Sequence, residues 1–213
     1  MYLSNSKRFK KVILNLFFNP SLMLPYLKYS TSSKNPLEVE LPWWTFKSIK
    51  LLKSHLNKRQ NIFEWGTGGS TIYLSKYVKK VISVENDPIW TRKVNFHLSK
   101  QNINNVEILQ KEIDFQSPES FKGSPYGQSI KSTFDIIIVD GDDQFGAKSK
   151  WSVREVCFSI SQNFVTQNGG IIVVDDSWRY PEILNLSKAK DVIYTESVGP
   201  CRRGVTSTDL HFY

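Results

Sequence analysis

Residues 62–71 read IFEWGTGGST, an apolar run that passes into glycines and then into the start of a helix. Glycine lets a backbone turn sharply and approach a ligand, and a helix N-terminus offers unpaired amides. The loop therefore suits a nucleotide cofactor. The dinucleotide pattern G-x-G-x-x-G does not fit, because after Gly66 and Gly68 its third glycine position holds Thr71. Glu64, two residues before the first glycine, would meet a pyrophosphate with like charge and suits a cationic ligand group instead. Glu85 closes the next apolar run, VISVE. At the tip of a neighbouring strand its carboxylate can accept both hydroxyls of a ribose, while Asp87 before Pro88 is the better helix cap. A second acidic group comes later: Asp140 ends FDIIIVD, and Asp175 with Asp176 ends GIIVVDD. Carboxylates gathered in one place repel unless one is protonated or a cation sits among them, and oxygen ligands favour Mg²⁺ or Ca²⁺. The plainer role for Asp176 or Ser177 is to cap a helix toward Ile183, and for Asp142 or Asp143 to cap one after Gly146.

The elements that must position these groups alternate. Strands are expected at Asn61 to Trp65, Val81 to Glu85, Val106 to Leu109, Phe134 to Val139 and Gly170 to Val174, with helices starting near Gly69, Pro88, Gly146 and Tyr180. An earlier helix is expected from Pro42 through WWTFKSIKLLKSHL. Continuous Ile and Val runs are the mark of parallel strands buried on both faces. Two further extended segments, Asp191 to Ser197 and Val205 to Tyr213, are joined only by GPCRRG. So short a link permits only antiparallel pairing, because a parallel crossover needs about a dozen residues or more. The expected fold is α/β: a Rossmann-like, doubly wound, mostly parallel seven-stranded sheet with an antiparallel last strand and helices on both faces.

On these residues the chain resembles the class I S-adenosylmethionine-dependent methyltransferases. Their loop pattern, acid-x-Gly-x-Gly, is matched by Glu64, Gly66 and Gly68, and their ribose acid by Glu85. The resemblance covers residues 42–213 and includes the reversed last strand that separates this family from dehydrogenases. More narrowly, PWWTFKSIKLL, FEWGTGGST, SVENDPIW, FDIIIVDGDD and GGIIVVDDSW look like a bacterial group found near sugar-modifying genes. The resemblance implies S-adenosylmethionine (SAM) as cofactor, held by Glu64, Gly66, Thr67, Gly68, Gly69, Ser70 and Glu85. Ser70 replaces the third glycine, and Glu112 stands near the adenine, with Asp114 close enough to compete. In-line methyl transfer requires alignment of donor and acceptor, and deprotonation of a hydroxyl acceptor. Asp140 is the expected catalytic residue. Some small-molecule O-methyltransferases of this fold bind a divalent ion after the same two strands, which would make Asp140, Asp175 and Asp176 the ligands of Mg²⁺.

Composition sets the bounds. The 213 residues are 40% hydrophobic and 23% charged, enough for one ordinary domain and too apolar for disorder throughout. Net charge is +8, but residues 1–60 hold eleven Lys and Arg against two acids, whereas residues 61–213 hold seventeen against eighteen. The excess belongs to a basic and apolar N-terminal arm, residues 1–35, ahead of a methyltransferase domain at 36–213. Residues 36–60 form the leading helix of that domain and 61–213 its Rossmann-like core. The run Lys7 to Phe18 mimics a signal peptide, yet Asn15 interrupts it and no small-residue cleavage site follows. Cys157 and Cys201 cannot make a disulfide scaffold, which fits a reducing, cytoplasmic location. The near-neutral core and acidic rim are ill suited to nucleic acid, so a small-molecule or sugar acceptor is expected. An RNA methyltransferase using the arm on phosphates, and a non-enzymatic membrane-associated binding module, are the other readings. The arm itself is expected to touch a membrane surface or an acidic partner. His55, His97 and His211 form no cluster, and Phe115 to Thr133 is long enough to be a lid over the acceptor site.

Overall fold

The computed structural model describes residues 5–31, 34–143 and 151–213. In chain order the elements are α1 (Asn5–Phe18), a 3₁₀ turn (Pro20–Leu22), α2 (Met23–Pro25), a π-helical turn (Tyr26–Ser30), α3 (Pro36–Val39), α4 (Phe46–His55), β1 (Asn61–Trp65), α5 (Gly69–Ser75), β2 (Lys80–Glu85), α6 (Pro88–Lys100), β3 (Val106–Gln110), α7 (Pro118–Gly123), β4 (Ile136–Val139), α8 (Val153–Ser161), β5 (Ile171–Asp175), a second 3₁₀ turn (Ser177–Arg179), α9 (Glu182–Leu186), β6 (Asp191–Val198) and β7 (Val205–Phe212). The seven strands form one sheet in the order β3-β2-β1-β4-β5-β7-β6. Pairings from β3 through β5 are parallel, and β7 runs antiparallel to both β5 and β6. The expected fold class is the observed one.

Alternation within the strands explains why helices cover both faces. Phe63, Trp65, Ile137, Val139, Ile172 and Val174 point to one side, where Phe121 of α7, Phe158 of α8 and Ile183 of α9 pack on them. Ile62, Ile136, Ile138, Ile171 and Val173 point to the other, under Ile49 and Leu52 of α4 and Leu74 of α5. With both faces buried, a strand carries apolar residues at consecutive positions.

Several boundaries differ from expectation. The helix expected from Pro42 starts at Phe46, because Thr45 caps it by accepting from the Ser48 N–H at 2.9 Å. Trp44 stays outside the helix and is fully buried. The fourth strand starts at Ile136, and Phe134 makes only an isolated bridge to Val165. The helix start near Gly146 lies outside the described residues; α8 is entered at Val153, whose N–H donates to Asp143 Oδ1 at 3.0 Å. Near Tyr180 a 3₁₀ turn and a short α9 replace one longer helix.

The described part of the N-terminal segment is packed on the core. Val12 and Leu16 are buried against Val198 and Val205. Asn15, which interrupts the apolar run, exchanges hydrogen bonds with β6: its Nδ2 donates to the Glu196 carbonyl and its Oδ1 accepts from Ser197 Oγ at 2.8 Å. Lys11 pairs with Glu196 at 2.5 Å. Farther along, Ser30 Oγ donates to the Gly199 carbonyl, and the Cys201 N–H donates to the Tyr29 carbonyl. Among the described residues no helix is long and apolar enough to cross a membrane.

Candidate active site

The carboxyl ends of β1, β2, β4 and β5 open into a cleft of about 420 Å³, within the range of small-molecule sites, about 300–1,000 Å³. Its wall is the turn from β1 into α5. Gly66 sits at φ +94°, and a Cβ there would come within 2.8 Å of Gly141 Cα, so this position requires glycine. At Gly69 a Cβ would lie 2.4 Å from the Leu41 carbonyl oxygen, because the chain around α3 crosses directly over the start of α5. Trp90 Nε1 donates to the Thr67 carbonyl at 2.7 Å and pins the loop from the α6 side.

Glu64 stands behind these glycines, fully buried. Ser70 Oγ donates to its Oε1, and Thr71 Oγ1 donates to its Oε2 at 2.5 Å. The hydroxyls of α5 thus take the place that the sequence reading assigned to a cationic ligand group. Burial pushes the Glu64 carboxyl up to about 8, against the pull of those two hydrogen bonds. The folded value exceeds the ordinary 4.5, so the stabilisation from this group is complete below pH ~4.5 and is lost as pH rises toward 8. Thermal melts of wild type and Glu64→Gln should show it: the wild-type Tm declines relative to the variant between pH 5 and 8. Parallel curves would contradict a protonated Glu64.

Glu85 ends β2 at the floor of the cleft and is buried. Its Oε1 accepts the Asn86 and Asp87 N–H groups at 2.8 and 3.0 Å, while burial keeps its pKa raised. Asp87 is the cap of α6, accepting from the Ile89 and Trp90 N–H groups, as the sequence suggested.

At the other end Asp140, Asp175 and Asp176 do converge, and the cations among them are arginines. Arg154 reaches Asp140 Oδ1 at 3.2 Å and Asp175 Oδ2 at 3.9 Å. It is fixed by donating from Nε to the Gly141 carbonyl and from Nη1 to the Asp175 carbonyl. Arg202 binds Asp175 at 3.1 Å and Asp176 at 2.7 Å. The expected ligand set of a divalent ion, Asp140, Asp175 and Asp176, is thus paired with guanidinium groups, which supply positive charge and use carboxylate oxygens. Among the described residues no group of three His, Cys, Asp or Glu has the arrangement of a metal site. Burial, countered by Arg154 and Arg202, leaves Asp140 raised, and Trp44 Nε1 donates to its Oδ2 at 3.1 Å. Burial and the Asp140 charge raise Asp175. Burial also works against ionised Asp176, but the charge of Arg202 and hydrogen bonds from Arg202 and Thr206 outweigh it and hold the group low.

The cleft brings together Gly66, Thr67, Gly68, Gly69, Ser70, Glu85, Asp140 and Asp176. Glu112 is exposed and lies with Asp114 in a neighbouring hollow. Arg179 lines the cleft, whereas Trp178 packs toward α1. The three histidines stay away from it; His211 is buried beside Phe158, its Nδ1 2.8 Å from Ser187 Oγ. The stretch expected as a lid is instead half core: Phe121, Tyr126 and Ile130 are buried in it. Arg154, Arg202, Trp43 and Trp44 were missed. For Arg202 a topological signal existed, since a link after a strand parallel to β5 must emerge on the same rim as Asp175.

Sheet order, reversed β7 and the glycine turn at the carboxyl end of β1 define the Rossmann-like fold of the class I methyltransferases. Among solved structures the chain is similar to the O-methyltransferase from Bacillus cereus in complex with SAH (17% identity, 95% of this chain and 90% of that chain, TM-score 0.57). It is also similar to an rRNA methylase from Streptococcus thermophilus (14%, 85% and 99%, 0.55) and to the precorrin-6y C5,15-methyltransferase from Geobacter metallireducens (14%, 86% and 94%, 0.53). No family model and no curated protein matches the sequence.

Proposed function

We infer that the chain is a SAM-dependent methyltransferase acting on a hydroxyl of a small molecule or sugar. The observation that carries this reading is the single cleft in which a glycine turn, a buried strand-end carboxylate and a second strand-end carboxylate stand side by side. SAM supplies an electrophilic methyl group on a sulfonium. Backbone at Gly66 to Ser70 gives the close approach that the cofactor needs, and Glu85 is placed to accept ribose hydroxyls at the floor. Asp140, held in orientation by Trp44 and Arg154, accepts the proton of the acceptor hydroxyl. Nucleic acid is disfavoured because carboxylates (Glu85, Asp87, Asp140, Asp142 and Asp176) outnumber the three arginines that line the same cleft. Likeness to an rRNA methylase does not offset that, since the fold serves many acceptors.

Calorimetric titration with S-adenosylhomocysteine (SAH) tests the cofactor role of Glu85. Hydrogen bonds to a charged group contribute about 1.5–3 kcal/mol, so Glu85→Ala should weaken binding by roughly 10- to 100-fold. Equal affinity in wild type and variant would remove Glu85 from the cofactor site.

A further inference from the structure

The outer surface of α1 is built for something other than water. Helical spacing places Val12 and Leu16 inward on the core. Phe9, Ile13 and Phe17, one turn apart, and Phe18 face outward, 62%, 54%, 77% and 73% exposed. Apart from exposed Lys10, the described side chains on this outward face are apolar. Leu24 and Leu27 from the following turns extend the patch, at 77% and 57%. Among the described residues, eight of the fifteen exposed large hydrophobic side chains fall between Phe9 and Leu27, Leu14 and Met23 included. Contiguous patches of this kind mark an interaction surface.

Charge selects the occupant. Residues 5–37 contain no Asp or Glu, and exposed Lys10 lies within the apolar face, with Lys28 after it. A second copy seated on the same face would set these lysines against themselves, because a two-fold interface pairs a patch with its own image. An anionic bilayer offers both matching components: an apolar boundary for the aromatic and leucine side chains, and phosphate groups for the lysines. We propose that α1 and the turns after it dock this protein onto an anionic membrane surface.

Docking has a consequence at the cleft. Phe9 lines a hollow together with Trp43, Asp176, Cys201, Arg202 and Arg203, and three of these also line the cleft. The turn at Tyr26–Ser30 grips the same link, with Tyr26 donating to the Arg203 carbonyl at 2.9 Å. A bilayer on α1 therefore lies beside a hollow that adjoins the cleft. Neither this placement nor the docking rests on the methyltransferase reading.

The test is co-sedimentation of the full chain with vesicles of phosphatidylcholine alone or mixed equally with phosphatidylglycerol. Wild type should partition at least about tenfold more strongly onto the anionic vesicles, and Phe17→Glu and Lys10→Glu should each lower that partitioning by about tenfold. Both side chains are exposed, so Tm and SAH affinity should stay at wild-type values. Leu24→Glu, on a separate turn, serves if Phe17→Glu fails to fold. Absent or lipid-indifferent binding by wild type overturns the proposal, as do variants that bind like wild type. A dimer dissolved by Phe17→Glu, without vesicle binding, would assign the face to a second copy instead. SAH affinity read on the same samples separates failure of docking from failure of the methyltransferase reading.

Discussion

Replacing Arg154 with methionine is expected to lower folding stability by about 3–5 kcal/mol, the usual cost of removing one partner from a buried ion pair. Arg154 touches two carboxylates, and Asp175 is 1% exposed. Its removal leaves Arg202 as the nearest counter-charge for Asp175 and leaves Asp140 with a hydrogen bond from Trp44. The damage should depend on pH. Without the guanidinium, Asp140 and Asp175 hold their protons to higher pH, and a protonated pair carries little penalty. Stability lost by the variant should therefore be small near pH 5 and deepen as pH rises toward 8. Urea unfolding at both values checks this. A loss that is equal at the two values would show that Arg154 acts through packing alone.

The second large effect is on chemistry. Asp140→Asn keeps the size of the side chain and its contact with Trp44, but an amide cannot take a proton. General base catalysis contributes about 10²–10⁴-fold, so label transfer from methyl-labelled SAM to a panel of sugar and phenolic hydroxyls should fall by that order. SAH affinity should change by no more than about threefold, since binding of the product cofactor needs no proton acceptor. Unchanged transfer would dismiss Asp140 as the base. Collapse of binding along with transfer would place Asp140 in the cofactor pocket instead.

Much of this arrangement is legible in the sequence for a physical reason. Parallel strands buried on both faces are mostly apolar at consecutive positions, so FDIIIVD and GIIVVDD identify themselves, and a carboxylate at the end of such a run lies at the strand tip. Glycines at 66 and 69 are read as a close approach because few other residues permit it. What escaped was set by tertiary contacts. Trp44 falls within the helix expected from Pro42, yet Thr45 caps the helix after it and frees the indole to reach Asp140. Arg154 occupies the first turn of α8, and nothing in its neighbourhood in sequence shows that this turn meets Asp175. The acids suggested a metal because residue spacing does not show that two arginines, fourteen and sixty-two positions beyond Asp140, arrive at the same place. Similarly, the basic character of residues 1–35 was visible, while the docking of Val12 and Leu16 beside β6 depends on an edge that only the folded sheet creates.

The charge distribution reads differently once the structure is known. The positive excess in the first sixty residues sits on a packed segment with an outward apolar face, and the core balances its acids with arginines at the site itself. Both features tie the N-terminal segment to the site, through the link that carries Arg202.

The most direct measurement is a crystal structure of the protein grown with SAH. The account predicts density for the ligand in the cleft, its ribose hydroxyls on Glu85 and its amino acid portion against the backbone of Gly66 to Gly68, with the sulfur facing Asp140. Density in the hollow beside Glu112, or a cleft that stays closed to SAH at saturating concentration, would contradict it.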